Sequence, residues 1–155
     1  MRSTIEQAMR RVLHFYWRFA RGLTLGVRAL VIDEQRRIFL VRHTYVRGWH
    51  LPGGGVEPGE TLGTALAREL AEEGNILLTA PARLHGMFFN SRVSRRDHVA
   101  CFIVEDFRQS APLAPNREIA ATGFFALDQM PGDTTAGTRA RIAEVLLGTP
   151  PSDLW

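Results

Sequence analysis

The residues able to do chemistry concentrate between Gly54 and Ile76, GGVEPGETLGTALARELAEEGNI. On a helix turning ~100° per residue, Glu69, Glu72 and Glu73 fall within an arc of about 100°. Gly63, Leu66, Ala67, Leu70, Ala71 and Gly74 line another face, which predicts packing on a sheet. Carboxylates three and four residues apart repel by a few tenths of a kcal/mol each on an exposed helix. A hard divalent cation offsets that repulsion, because Mg²⁺ and Mn²⁺ take oxygen ligands. The plain alternative is a solvated acidic face. What favours the cation is the loop that enters the helix. Gly53, Gly54 and Gly55 let backbone N–H groups approach an anion closely, and a helix N-terminus favours phosphate. Metal and phosphate sites can then lie side by side.

The spacing of Gly54, Glu60, Arg68-Glu69-Leu70-Ala71-Glu72-Glu73 and Gly74-Asn75-Ile76 resembles the Nudix box, G-x5-E-x7-R-E-U-x-E-E-x-G-U with U apolar. The match covers 23 of 155 residues and departs at one position, where Asn75 replaces the final glycine. That position follows the helix and calls for positive φ, and Asn is the best non-glycine residue for it. The resemblance implies an α+β fold, an α/β/α sandwich around a mixed sheet. It implies hydrolysis of a nucleoside diphosphate linked to another moiety, of the nucleotide-sugar or ADP-ribose type. It also implies Mg²⁺ or Mn²⁺ held by Glu69, Glu72 and Glu73 with the Gly53 carbonyl, and a structural Glu60–Arg68 pair. The proton acceptor is then a box glutamate, Glu72 or Glu73, or a later one, Glu118 or Glu105. A nucleoside triphosphate pyrophosphohydrolase of the nucleotide-sanitising type is the second enzymatic reading. A nucleotide-binding or membrane-tethered module without turnover is the third. Ser91–Ser94 carries neither the proline nor the tyrosine that marks some subgroups of the family.

Other residues are candidates by chemistry alone. Gly54 and Gly55 shape the loop, and Arg47 and His50 flank it, so all four are candidate substrate contacts. Arg92, with Arg95, Arg96 and His98, makes the turn after Phe88-Phe89-Asn90 basic. That turn reads as a phosphate clamp or as a solvated hairpin tip.

The elements that must position these groups follow from pattern. Residues 4–21 read as a basic amphipathic helix, a candidate for a peripheral membrane contact or a homodimer contact, or for packing on its own domain. Strands are expected over 24–32 and 37–42, paired as a hairpin, and over 82–90 and 98–107. A short strand is expected over 123–127. Helices are expected over 61–74, with Thr61 as N-cap, and over 134–147. The domain organisation is therefore a helix over 1–22, a Nudix-type domain over 23–148 and a tail over 149–155.

Composition excludes several classes. Hydrophobic residues make up 45% and charged residues 23%, which rules out wholesale disorder. The one cysteine, Cys101, cannot form an internal disulfide, so a stapled scaffold is excluded and a cytoplasmic location is expected. All 19 basic residues are arginine, so no lysine nucleophile exists. The net charge of +3 suits anionic small molecules, and no specific nucleic acid is expected.

Overall fold

Two sets of apolar residues alternate along the same central strands, and each set needs a cover. The computed structural model describes residues 22–155 together with Met9, Leu13 and Tyr16. Those three apart, the helix expected over 4–21 lies outside the described residues, as do its membrane and dimer roles. Chain order is β1 (Thr24–Val31), β2 (Ile38–His43), α1 (Leu62–Gly74), β3 (Ile76–Leu78), β4 (Arg83–Phe89), β5 (Asp97–Val104), β6 (Phe107–Gln109), β7 (Ile119–Phe125) and α2 (Ala136–Leu146). A 3-10 turn at Leu127–Gln129 precedes α2.

Strand β1 runs parallel to β5, with Thr24 opposite Asp97 and Val31 opposite Val104. Strand β4 pairs antiparallel with β5 on its other side. Antiparallel pairs β2–β7 and β3–β6 complete a mixed α+β arrangement. Val27, Ala29, Val31, Phe39, Val41, Ala100, Phe102 and Val104 pack with Leu66 and Leu70 of α1. Leu30, Ile32, Ile38, Leu40, Cys101 and Ile103 pack with Ile142 of α2. One helix thus covers each face, and each fully buried Leu or Phe contributes about 1.5–3 kcal/mol.

The expected hairpin does not form. β1 and β2 exist, but only Ile32 and Ile38 bridge across their turn, and each strand finds its ladder elsewhere. The alternation of apolar residues fixes which face of a strand is buried; it carries no information on the partner. The turn itself is held locally. The Asp33 carboxylate accepts from the Gln35 and Arg37 backbone N–H groups, at 3.0 and 2.8 Å, and pairs with the Arg37 guanidinium. The strand expected over 98–107 divides into β5 and β6, and the one expected over 123–127 begins earlier, at Ile119.

Helix α1 begins and ends as its sequence predicts. The Thr61 hydroxyl accepts from the Thr64 N–H at 3.1 Å, and Asn75 ends the helix in the left-handed region at φ 52°. Its buried face is narrower than the apolar residues imply: Ala65, Leu66, Leu70, Glu73 and Gly74 are buried, while Gly63 and Ala67 are exposed. Gly74 permits close helix–sheet contact, since a Cβ there would lie 2.8 Å from the Phe39 ring.

Opposite α1, the last residues fold back on the sheet. The Phe89 N–H donates to the Asp153 carbonyl and the Trp155 N–H to the Phe89 carbonyl, at 2.8 and 3.1 Å. Beneath them Arg141, fully buried, places its guanidinium 3.7 Å from the centre of the Phe88 ring. It donates to the Leu154 carbonyl and to Glu144, whose carboxylate also accepts from His85 and the Ser152 N–H. Burial pushes the Glu144 carboxyl upward, but its hydrogen bonds with His85, Ser152 and Arg141 together bring it below its ordinary 4.5. Removing one partner of a buried pair strands the other charge, so Glu144→Ala is expected to cost about 3–5 kcal/mol near neutral pH. The folded-state carboxyl titrates below the unfolded one. Its contribution is therefore complete above 4.5 and is lost as pH falls. Urea denaturation of wild type and Glu144→Ala at descending pH checks this: the gap between them should shrink below that value.

Candidate active site

The three glutamates on α1 sit at two depths. The Glu73 and Glu69 side chains are 11% and 12% exposed, and the Glu72 side chain is 60% exposed. A buried carboxylate must be satisfied at both oxygens. One Glu73 oxygen accepts from the Gly53 N–H at 2.7 Å, and the other meets His43 Nε2 at 2.6 Å. Gly53 adopts φ 137°, and a Cβ there would lie 2.1 Å from the Val27 carbonyl oxygen. Only glycine fits that position. The loop is also laced to β1: the Val27 N–H donates to the Gly54 carbonyl, the Ala29 N–H to Pro52 and the Val56 N–H to Leu25, each at 2.9 Å.

Arg68 joins the loop to the helix. Its Nε and Nη2 reach the two oxygens of Glu60 at 2.9 and 3.1 Å, and Nη2 also donates to the Gly55 carbonyl at 3.0 Å. Its Nη1 donates to Glu69 at 2.7 Å. The Arg68 hydrogen bonds, with one from the Glu57 N–H, hold the half-buried Glu60 carboxyl down to about 2. Glu69 moves the other way: burial raises it, and the charges of Glu73 and Glu72 add to that rise against the pull of Arg68.

These elements open onto a cleft of about 810 Å³. Gly53, Gly54, Gly55, Glu69, Glu72 and Glu73 form one wall, and Glu118 lies on another with Asn116 and Arg117. Glu118 is exposed, and its backbone is fixed: its N–H donates to Asn116 Oδ1 and its carbonyl accepts from the Thr44 N–H, both at 2.8 Å. His50 also lines the cleft, with its pKa lowered by burial. Its Nε2 lies 3.0 Å from the Arg47 carbonyl, so Nε2 carries the proton and donates, leaving Nδ1 as an acceptor in the neutral ring. Burial, followed by the charges of Glu73 and Glu118, raises the Tyr45 phenol, which stays protonated.

Three candidates are not brought to this cleft. Arg92 is exposed on the turn between β4 and β5, outside the cleft lining, because that turn extends from the end of the β4–β5 ladder. Arg47 lines an adjoining basin rather than the cleft itself. Glu105 follows β5 and lies away from the cleft, beside the turn that carries Asp33. Burial pushes the Cys101 thiol up to about 12, so it is an inert core residue.

Arg28, His43, Tyr45, Val46, Asn116 and Arg117 line the cleft and escape the sequence reading. His43 was legible: it continues the Phe39, Val41 parity that faces α1. Arg28, whose Nη1 donates to the Leu51 carbonyl at 2.9 Å, reaches the site only because the loop folds along β1, which strand pattern does not foretell.

The chain belongs to the Nudix family: the NUDIX domain pattern matches residues 22–145. It is similar to the crystal structure of a MutT NUDIX hydrolase from Burkholderia pseudomallei, with 26% identity and a TM-score of 0.69, covering 80% of this chain and 98% of that one. An ADP-ribose pyrophosphatase from Streptococcus suis 89-1591 is also 26% identical, with a TM-score of 0.62, over 79% of this chain and 90% of that one. Diphosphoinositol polyphosphate phosphohydrolase 2 of Rattus norvegicus is 35% identical over 91 residues, which are 56% of this chain. The chain spans 50% of the length of that relative and 30% of an RNA pyrophosphohydrolase from Legionella pneumophila (strain Corby). No helix among the described residues is long and apolar enough to cross a membrane.

Nudix hydrolases generally use divalent cations, and the donor set here fits one. Three carboxylates share one end of a helix, and the pKa of Glu69 is raised by burial first and then by the charges of Glu73 and Glu72. Among the described residues no three such side chains converge on one point. The carboxylates find partners within the protein instead, Glu69 at Arg68 and Glu73 at His43 and the Gly53 N–H. At Gly54 a Cβ would lie 2.3 Å from a Glu69 carboxylate oxygen, the mobile end of a side chain. Gly54→Ala is therefore expected to keep stability within about 1 kcal/mol. It should displace Glu69 and weaken Mn²⁺ binding, read by urea denaturation alongside a Mn²⁺ titration followed by electron paramagnetic resonance.

Proposed function

We propose that this protein hydrolyses the pyrophosphate linkage of a nucleoside diphosphate derivative in a divalent-metal-dependent reaction. The observation that carries this reading is one cleft lined by the carboxylates of Glu69, Glu72, Glu73 and Glu118 together with Arg28 and Arg117. The acids suit a cation, and the arginines suit the phosphate oxygens of the substrate. Glu69, Glu72 and Glu73 are the residues that would hold Mg²⁺ or Mn²⁺, with the Gly53 backbone. The bound cation supplies charge neutralisation at the phosphates and lowers the pKa of a water.

The chain's own residues do the rest. Arg68 and Glu60 hold the loop against the helix, so that Gly53–Gly55 keep a fixed distance from the carboxylates. His43 orients Glu73 by holding one of its oxygens, and each oxygen keeps a lone pair beyond its one hydrogen bond. Glu118 makes no side-chain ion pair among the described residues, and it serves as the acceptor of the attacking water's proton. Water adds across the P–O–P bond: its oxygen joins one phosphorus, and the bridging oxygen leaves with the other. An ADP-ribose or nucleotide-sugar substrate yields two phosphomonoesters. The second enzymatic reading, a nucleoside triphosphate pyrophosphohydrolase, draws on the likeness to the Burkholderia MutT NUDIX hydrolase over nearly that whole chain. It would release pyrophosphate.

A panel of ADP-ribose, nucleotide sugars, dinucleotides and nucleoside triphosphates, with Mg²⁺, Mn²⁺ or EDTA, tests both readings through the products. Glu118→Gln is expected to lower kcat by about 10²–10⁴ with Mn²⁺ binding retained. Glu73→Gln should lose turnover and Mn²⁺ affinity together. Full activity in EDTA, or in Glu73→Gln, overturns the proposal.

A further inference from the structure

The cleft has a neighbour. Arg42, Arg47 and Asp133 line a second basin of about 620 Å³, which shares His43, Tyr45 and Val46 with the cleft. The register of the β2–β7 ladder shifts between Arg42 and His43 because β7 carries an extra residue, Ala120, while β2 keeps its alternation. Arg42 and His43 therefore lie on opposite faces of β2, and the two basins meet where the chain leaves the strand, at Tyr45 and Val46. Glu73 meets His43 on the cleft side, and the Arg42 guanidinium lies 5.6 Å from the centre of the Trp49 ring on the other. A guanidinium laid over an aromatic face is held in place and keeps its N–H edges for an anion.

The two basins differ in charge. The cleft is rich in carboxylates, and the second basin holds two exposed arginines against one acid. Neither Arg42 nor Arg47 makes an ion pair among the described residues. Tyr45, 70% exposed, and Val46 stand on the ridge between the basins and offer an apolar surface for a ring.

We propose that the two basins form one bipartite site, in which Arg42 and Arg47 take a phosphate that the substrate carries beyond its hydrolysed pyrophosphate. The preferred substrates are then nucleoside diphosphate derivatives bearing an additional phosphate. This rests on the hydrolytic reading above and narrows its substrate class.

Two ligand pairs that differ by one phosphate test it: NADPH with NADH, and coenzyme A with dephospho-coenzyme A. Affinity is read as KM, or as Kd by calorimetry for a ligand that is not turned over. Wild type is expected to favour the phosphate-bearing member of at least one pair by about tenfold or more. Arg42→Gln and Arg47→Gln should each erode that preference, leaving kcat and the affinity for the other member unchanged. Asp133→Asn should increase it, an opposite sign that a structural defect would not produce. Equal affinity within both pairs in wild type overturns the proposal, as does an equal loss for both members in the arginine variants. If no ligand is hydrolysed but the preference exists and follows the arginines, the bipartite site stands and the hydrolytic reading falls.

Discussion

Glu73 is a carboxylate with almost no access to water, and its satisfaction organises the surrounding chain. Burying an unpaired carboxylate costs several kcal/mol, so both oxygens need donors. One donor is the Gly53 N–H, which points inward only because Gly53 sits at φ 137° against the Val27 carbonyl. The other is His43 Nε2, at the end of β2. Helix α1, the glycine loop and β2 therefore meet at one side chain. Moving any of them leaves a buried polar group without its partner.

Arg68 performs the complementary task at the solvent side. It is shared among Glu60, Glu69 and the Gly55 carbonyl, so the loop is clasped to the first two turns of α1. The clasp divides the acids electrostatically. Glu60, doubly bonded to the guanidinium, stays ionised to about 2, whereas Glu69 is pushed upward by burial and by the charges beside it. A partly exposed pair of this kind adds modestly to global stability. Its effect lies in geometry, because it fixes the spacing between loop and carboxylates.

What the sequence made legible divides along physical lines. Local chemistry was readable: the Thr61 cap, the left-handed Asn75, the three glutamates on one helical face and the faces of the strands all follow from short-range rules. Partner choice was not. The sequence pattern paired β1 with β2, whereas β1 lies beside β5, more than sixty residues away. The same blindness hid Arg28, Asn116 and Arg117, which enter the cleft through long-range contacts. Of the two readings of the basic turn at Arg92, its place at the end of the β4–β5 ladder, outside the cleft lining, agrees with the solvated hairpin tip. Glu118 lies in the cleft lining because β7 begins at Ile119, earlier than its pattern suggests, and so sets the acid at the strand's end.

The two sheet faces use buried charge for different ends. On the α2 face, Arg141, Glu144 and His85 form a closed group, with Phe88 and Trp155 around the guanidinium and the last residues laid over it. Nothing there is left for a ligand except the Arg141 Nε, which has no partner. On the α1 face the polar group is open on one side. Glu73 is satisfied by protein donors, Glu69 is shared, and Glu72 faces solvent. A graded series of this kind combines a fixed inner anchor with outer carboxylates free to exchange partners. A site that binds a cation and an anionic substrate together requires that combination, since a fully satisfied cluster would have no affinity to spare and a fully exposed one would have no geometry.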